Sequence, residues 1–151
     1  MDSKPLTSKA QIDEFMRLFG QFHDTCLKEV HISTGHWVGK ELAMATPSDE
    51  ATKGHLLFQR QFNNPSAIEL LFEKIVRFNI VPPEENHFGI IFSATMITKD
   101  GLIYWADVPG WLPQTPDCDT ATWIAAKSLS WRDASEWMGP KLRYGPGYDK
   151  K

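Results

Sequence analysis

The sequence predicts a single α+β domain spanning residues 1–151, in which one N-terminal amphipathic helix packs on a mostly antiparallel β-sheet. Three observations predict this class: helically spaced apolar residues precede Gly20, an apolar-rich ribbon runs from His55 to Val81, and Asp100-Gly101 separates two further strand-like runs. A helix followed by strands alone is typical of an α+β fold with antiparallel pairing. A chain of 151 residues is long enough to bury one core without disulfides.

Residues 8–19 have the pattern of an amphipathic helix. Ser8 and Gln11 fit a capping box, and Gly20 is a natural helix stop. The apolar residues at positions i, i+3, i+4 and i+7 are Ile12, Phe15, Met16 and Phe19. We expect this face to lie on the sheet, because an isolated helix of this length is marginal in water.

A strand is expected from Phe22 to about Thr34, and a second one within His36–Met44, before a polar loop at 45–53. The breaks between them follow from Gly35, Gly39 and the polar run after Ala45. These strands precede the ribbon that dominates the sequence.

The ribbon from His55 to Val81 consists of two apolar-rich runs joined by Asn63-Asn64-Pro65-Ser66. In the second run the even positions from 68 to 80 are apolar except Lys74, which is typical of a strand with one buried face. The spacing of apolar residues from Ile68 to Val76 also fits a helix that starts near Asn64-Pro65. The β-branched and aromatic content favours the strand, with a bulge near Lys74.

The third region begins after Pro82-Pro83 with a hairpin of residues 88–98 and 102–108 around a type I′ turn at Asp100-Gly101. A Pro-rich loop at 109–116 leads to a last strand, 120–130, with Trp123, Ala125, Leu129 and Trp131 expected on one side. Residues 131–137 suggest one helical turn, and the tail 139–151 is expected to be flexible. The side chains expected to be nearly fully buried are Leu70, Phe72, Val76, Phe78, Ile90, Phe92 and Met96.

Composition excludes several classes of function. The net charge of −3 without a basic patch argues against a nucleic-acid partner. Cys26 and Cys118 lie outside any C-x-x-C pair, so we expect free thiols and a cytoplasmic protein. The five histidines are scattered without ligand spacing, so no metal and no cofactor is expected. No signal peptide or membrane-spanning run is visible, so no membrane association is expected.

Three polar positions in the first half are candidate site residues. His23 and Asp24 lie near Cys26 in the sequence. A histidine, a carboxylate and a thiol are the groups that nucleophilic catalysis by a cysteine requires. Adjacent residues of a strand point to opposite faces, however, so local hydrogen bonding at the junction is the favoured interpretation. Arg60 falls on the apolar side of its strand, where a partner such as Glu69 would form a structural ion pair.

Five of the six tryptophans lie between residues 105 and 137, with Asp107 among them. Tryptophan with charged neighbours is common in interface hot spots and ligand pockets. We expect Trp105 to belong to the core and Trp111, in the Pro-rich loop, to be exposed and available for contact. Trp111, Trp105, Asp107, Arg60, His23 and Asp24 are therefore the candidate binding residues.

Several short motifs within residues 15–137 resemble those of a protein family. They are Phe22-His23-Asp24, Leu57-Phe58-Gln59-Arg60-Gln61, Pro65-Ser66-Ala67-Ile68-Glu69-Leu70, Tyr104-Trp105-Ala106-Asp107 and Trp131-Arg132. Together they resemble a family of small uncharacterised proteins of Gram-positive bacteria, and this resemblance implies a strand for residues 67–80. The aromatic-His-Asp opening is similar, more loosely, to immunity proteins of bacterial toxin systems.

Three hypotheses for function follow. The favoured one is a non-enzymatic protein-binding module, immunity-like or regulatory, because the sequence assembles no catalytic constellation. The alternative is a small-ligand-binding protein or hydrolase that uses a concave sheet face with His23, Asp24, Arg60 and Asp107. The third is a homodimer formed by self-association. A deep pocket containing the candidate residues would favour the second over the first.

Overall fold

The computed structural model describes residues 2–47, 51–85 and 88–144. Its helix, α1, spans Lys9–Leu18 and confirms the prediction for this segment. Ser8 Oγ accepts a hydrogen bond from the Gln11 backbone N–H at 3.1 Å, and Gln11 Oε1 accepts one from the Ser8 N–H at 3.3 Å, which completes the capping box. Gly20 follows the helix with a φ of +60°, and the predicted apolar face is buried. This helix is not long and apolar enough to span a membrane, nor is any other helix in the described part of the chain.

The described residues also form nine strands, and every pairing among these strands is antiparallel. They are β1 (Lys4–Pro5), β2 (Thr25–Ser33), β3 (Trp37–Val38), β4 (Met44–Ala45), β5 (Lys53–Arg60), β6 (Ala67–Asn79), β7 (Thr95–Lys99), β8 (Leu102–Ala106) and β9 (Trp123–Asp133). The main sheet has the order β2-β5-β6-β9-β8-β7, with β1 also paired to β9. Strands β3 and β4 form a separate small hairpin where one strand was expected. The α+β class is thereby confirmed.

The ribbon of residues 55–81 is a strand hairpin, β5–β6, and not a helix. Leu70 and Phe72 are buried in β6 as predicted. Lys74 then takes a φ of +56°, and the register against β9 shifts between Ile75 and Arg77. This irregularity confirms the expected bulge, and it turns Val76 outward with 52% of its surface exposed. The prediction of a buried Val76 was wrong, and Phe78 is only partly buried.

The segment before β7 departs most from the sequence prediction. The strand expected at 88–98 is limited to Thr95–Lys99. Ile91 donates its backbone N–H to the Thr25 carbonyl at 2.7 Å and is buried, whereas Ile90 and Phe92 are 60% and 73% exposed. Because neighbouring side chains point to opposite sides, burying Ile91 exposes the two residues that were expected in the core. Met96 is buried as predicted.

The turn between β7 and β8 confirms the sequence prediction. Asp100 has a φ of +53° and Gly101 a φ of +78°, as a type I′ turn requires at both central positions. Strand β8 ends at Ala106, two residues earlier than expected.

Strand β9 begins after a short 3₁₀ helix at Cys118–Thr120. Its odd-numbered side chains do not all lie on the same face of the sheet. Trp123 and Ala125 pack with Tyr104 on one face, whereas Leu129 and Trp131 belong to the main core on the other. Between them Lys127 and Ser128 are both exposed, so the alternation shifts by one residue. The prediction that all four residues share a side was therefore wrong. A further 3₁₀ helix at Ser135–Trp137 supplies the helical turn expected near 131–137.

The main sheet curves so strongly that its two edges are bridged. Ile91 pairs with the first residue of β2, the Ala94 N–H donates to the Gln21 carbonyl at 2.9 Å, and Thr95 begins β7 at the opposite edge. The concave face holds the main core, in which the rings of Phe22, Phe58 and Trp105 lie 5.0–5.6 Å apart. Helix α1 covers one side of this core through Phe15, whose ring is 5.1 Å from that of Trp131.

The chain after β9 turns back across the convex face. Gln59 Nε2 donates to the carbonyls of Trp137 and Gly139 at 2.8 and 3.0 Å, and Lys28 Nζ donates to that of Lys141 at 2.5 Å. Residues 139–144 thus have defined contacts with the sheet. The rest of the tail expected to be flexible, 145–151, lies outside the described residues, as do 48–50 of the expected loop.

The break of alternation in β6 gives a direct test. We expect Phe72→Ala to lower the free energy of unfolding by about 3–5 kcal/mol, because it opens a cavity in the core. We expect Val76→Ala, four residues further along the same strand, to change it by less than about 0.5 kcal/mol, as is usual at the surface. Chemical denaturation of both variants checks this. A large loss in Val76→Ala would contradict the outward orientation after the bulge.

Candidate functional site

A cavity of about 460 Å³ opens at the end of the concave face. Its wall combines Leu27 and Val30 of β2 with Trp105 of β8 and with Asp107 and Val108, which follow that strand. Strands β2 and β8 are separated by β5, β6 and β9 in the sheet, so they can line one cavity only because the sheet curves. The cavity therefore brings together two of the predicted site residues, Trp105 and Asp107.

Asp107 is the one carboxylate among the predicted residues that lies in this cavity. Its Oδ1 accepts the backbone N–H of Thr122 at 3.1 Å, and its own N–H donates to the Thr122 carbonyl at 3.0 Å. Burial raises the pKa of the Asp107 carboxyl, and the hydrogen bonds from the backbone offset this only in part. A carboxyl of this kind can accept a hydrogen bond from a ligand and, when protonated, donate one.

Trp105 is fully buried, as predicted for a core residue. Its indole Nε1 is shielded from solvent and has no hydrogen-bond partner in the described part of the chain. A buried donor left unpaired costs about 1–3 kcal/mol. The cavity wall thus includes a side chain with an unused donor.

Trp111 is buried, and its predicted exposure was wrong. Only 5% of its surface is accessible, its ring lies 5.0 Å from that of Trp123, and its Nε1 donates to the Cys118 carbonyl at 3.0 Å. Because β8 and β9 leave Tyr104 and Trp123 on the convex face, the Pro-rich loop folds back to cover them. Trp111 is the centre of this second, smaller core and is not an exposed anchor.

Arg60 is buried as its position suggested, but Glu69 is not its partner. Its Nε donates to the Pro65 carbonyl at 2.8 Å, and its guanidinium carbon lies 4.4 Å from the centre of the Phe19 ring. Glu69 is paired in register with Leu57, so its side chain is directed to the face opposite the Arg60 side chain. Arg60 therefore ties the turn after β5 to the end of α1.

His23 and Asp24 contact each other, contrary to the expectation for a strand. Strand β2 begins only at Thr25, and Asp24 has a φ of +53°, so His23 Nε2 lies 3.4 Å from Asp24 Oδ2. His23 Nδ1 lies 2.9 Å from the Phe92 carbonyl oxygen, a backbone group far along the chain and not one at the junction. Cys26 and Cys118 are free thiols, and no hydrogen bond among the described residues joins Cys26 to His23 or Asp24. The elements of a catalytic triad are thus not assembled here.

A buried polar cluster on the convex face was missed by the sequence analysis. Arg132 Nε donates to Glu69 Oε1 at 2.7 Å, and Tyr144 Oη donates to Glu69 Oε2 at 2.6 Å. His55 Nδ1 lies 3.5 Å from the same Oε2. The side chains of Glu69 and Arg132 are 5% and 7% exposed, so this is a buried ion pair with an added hydrogen bond.

The chain segment 141–144 closes this cluster. Glu29 accepts the backbone N–H groups of Arg143 at 2.9 Å and of Tyr144 at 3.2 Å, and it also pairs with Lys28 at 2.7 Å. Burial raises the pKa of the Tyr144 hydroxyl, and its hydrogen bond to Glu69 raises it further. Tyr144 therefore stays a neutral donor to the carboxylate beneath it.

Little in the sequence indicates this buried polar cluster. Glu69 belongs to the polar set of β6 that a one-faced strand would direct to solvent, and its partners lie 63 and 75 residues away. The tail that supplies Tyr144 was expected to fray, so no layer was expected on this face. The one available sign was that Glu69 lies within the most apolar part of β6, residues 67–72.

Comparison with known proteins adds no assignment: no family model, no curated protein and no solved structure matches this chain. Among the residues that the structure describes, no group of three or more His, Cys, Asp or Glu side chains could hold a metal ion.

The environment of Glu69 predicts a pH dependence of stability. Burial alone would raise its pKa, but hydrogen bonds from His55, Tyr144 and Arg132 and the charge of Arg132 outweigh this and lower the pKa from 4.5 to about 2. Because the folded-state pKa is depressed, Glu69 stabilises the fold above its ordinary pKa of 4.5, and this contribution is lost as the pH falls toward about 2.

We expect Glu69→Gln to lower the free energy of unfolding at neutral pH by about 3–5 kcal/mol, since the carboxylate opposite Arg132 is removed. The variant should also show a flatter fall of stability below the ordinary pKa of glutamate than the wild type. Denaturation measured across this range checks both effects. Glu73→Gln, at an exposed position of the same strand, is the control. If the stability of Glu69→Gln fell with pH in parallel with that of the wild type, the Glu69 carboxyl would not be the source of the pH dependence.

Proposed function

We propose that this protein binds a small, largely apolar ligand in the concave cavity of the sheet. The observation that carries this proposal is the cavity itself: about 460 Å³, walled by side chains such as Leu27, Val30 and Val108, with Asp107 as a polar group. Ligand sites in proteins are typically concave, mostly apolar and provided with a few convergent polar groups.

The wall chemistry defines the class of ligand. Its apolar side chains favour a hydrocarbon or aromatic body. Asp107 favours a hydroxyl, amide or amine that can hydrogen-bond to a carboxyl, and it disfavours an anionic group. The ligand is therefore a neutral or cationic amphipathic small molecule.

Of the two activities considered for a concave sheet face, the geometry supports ligand binding and not hydrolysis. His23, Asp24 and Arg60 do not line the cavity. The Thr122 hydroxyl beside Asp107 is already hydrogen-bonded to the Val81 backbone. Asp24 and Arg60 line instead, together with Cys26, a separate and smaller depression of about 270 Å³. A reaction would need a nucleophile or an acid–base pair within mutual reach.

Titration with the neutral fluorescent probe N-phenyl-1-naphthylamine tests this proposal. We expect saturable binding of one probe per chain. Val108→Trp should weaken binding at least tenfold, because the indole fills the mouth of the cavity. Val76→Trp, at an exposed valine away from the cavity, should leave binding unchanged. Absence of saturable binding, or equal affinity in Val108→Trp, would reject the cavity as the site.

Binding of another protein is the second candidate, and the β3–β4 hairpin favours it. Its side chains Trp37, Val38, Leu42 and Met44 are all exposed, Trp37 by 62%. A cluster of exposed apolar side chains is typical of interaction surfaces. This hairpin replaces Trp111 as the basis for an immunity-like, regulatory or self-associating role.

Trp37→Ser tests the second candidate, with Phe62→Ser as a control at another exposed aromatic. Sedimentation velocity measures self-association, and affinity purification followed by a binding assay measures association with a foreign protein. We expect Trp37→Ser alone to weaken the complex at least tenfold, as for a hot-spot residue. A wild-type chain that is monomeric and retains no partner would exclude this candidate.

A further inference from the structure

The convex face has a second cavity, of about 380 Å³, beside the Glu69 cluster. Its lining includes Arg143, His31 and His55 together with the ring of Trp137. This cavity is on the other side of the sheet from the concave one, and no step of the proposed ligand binding involves it.

Arg143 is the residue that distinguishes this cavity. Its Nε is shielded from solvent and has no hydrogen-bond partner among residues 2–47, 51–85 and 88–144. No carboxylate of those residues lies within ion-pair distance of its guanidinium group. Guanidinium groups that leave solvent are normally paired, because an uncompensated charge in a less polar environment is costly.

The nearby carboxylates are already engaged elsewhere. Glu69 accepts from Arg132 and Tyr144, and Glu29 accepts from Lys28 and from the Arg143 backbone N–H. The Arg143 guanidinium carbon lies 5.7 Å from the centre of the Trp137 ring. A guanidinium that contacts a ring through its face keeps its in-plane N–H groups available for an anion.

The lining also includes Glu69, Arg132 and Tyr144 of the cluster, and two histidines. His31 and His55 are paired in register across β2 and β5, their ring centres are 6.2 Å apart, and each lies 6.0 Å from the Tyr144 ring. His31 is on an edge strand and exposed, so its ring nitrogens are accessible from the cavity mouth. Imidazole N–H groups and a guanidinium fork are the donors that tetrahedral oxyanions accept from.

We propose that this convex-face cavity binds a small oxyanion, such as a phosphate or sulfate group, held by Arg143 with His31 and His55. The anion balances the charge of Arg143 and occupies its in-plane donors, while Glu69 stays paired with Arg132. The site differs from the concave cavity in ligand charge.

Titration of the ¹⁵N-labelled full chain with sodium sulfate and with sodium phosphate, followed by NMR, tests the proposal. Sodium chloride keeps the ionic strength constant. We expect saturable shifts for both oxyanions in the amides of residues around His31, His55 and Arg143 and in the Arg143 Nε–H signal, which Arg143→Lys identifies by its disappearance. Shifts that grow linearly without saturation would mean non-specific screening and would overturn the proposal.

Variants assign the donors. We expect Arg143→Gln to weaken sulfate binding at least tenfold, as for loss of a charge-assisted contact. Arg77→Gln, an exposed arginine paired with Asp119 elsewhere, is the matched control and should bind as the wild type does. His31→Gln, at an exposed edge position that leaves the core intact, should weaken binding about threefold or more. Unchanged affinity in both Arg143→Gln and His31→Gln would overturn the assignment.

Discussion

The Glu69–Arg132 ion pair sets the register on which both faces of the sheet depend. The two residues are direct partners in the β6–β9 ladder at the centre of the sheet. Since side chains alternate with a period of two, a slip of β6 by one residue would place the Glu69 carboxylate in the main core and leave Arg132 without it on the opposite face. The desolvation of a buried pair offsets much of its attraction, so its main effect is to make competing registers unfavourable.

Correct register alone does not decide which face each side chain occupies, because the alternation of side chains changes part-way along β2, β6 and β9. In β2 the register shifts between Leu27 and Glu29, so that Leu27 and Val30 line the concave cavity. The same shift leaves the Glu29 carboxylate under the Arg143 and Tyr144 backbone. The bulge in β2 thus serves the concave cavity and the C-terminal segment together. Bulges of this kind re-aim side chains at functional positions.

The sequence predicted the local features well. The helix ends at its capping box and glycine, the hairpin turns at Asp100-Gly101, and β6 bulges near Lys74, because each depends on a few adjacent residues. Features that depend on distant contacts were missed. Ile91 is buried through a bridge to Thr25, and Trp111 is buried because β8 and β9 leave an apolar convex face to cover. The Glu69 cluster joins residues from β5, β6, β9 and the tail, and no local pattern connects them.

The two faces differ in what they can bind because different elements cover them. On the concave side α1 stops short of the far end of the sheet, and the cavity that remains there is walled by apolar strand residues and closed by the bridge at Ile91. On the convex side the cover over the Glu69 cluster is the segment 139–144, which satisfies Glu29 and Glu69 and leaves the Arg143 guanidinium without a carboxylate among the described residues. Apolar walls favour a neutral ligand, and an unpaired guanidinium beside two imidazoles favours an anion. The chemistry of each cavity therefore follows from the segment that covers it.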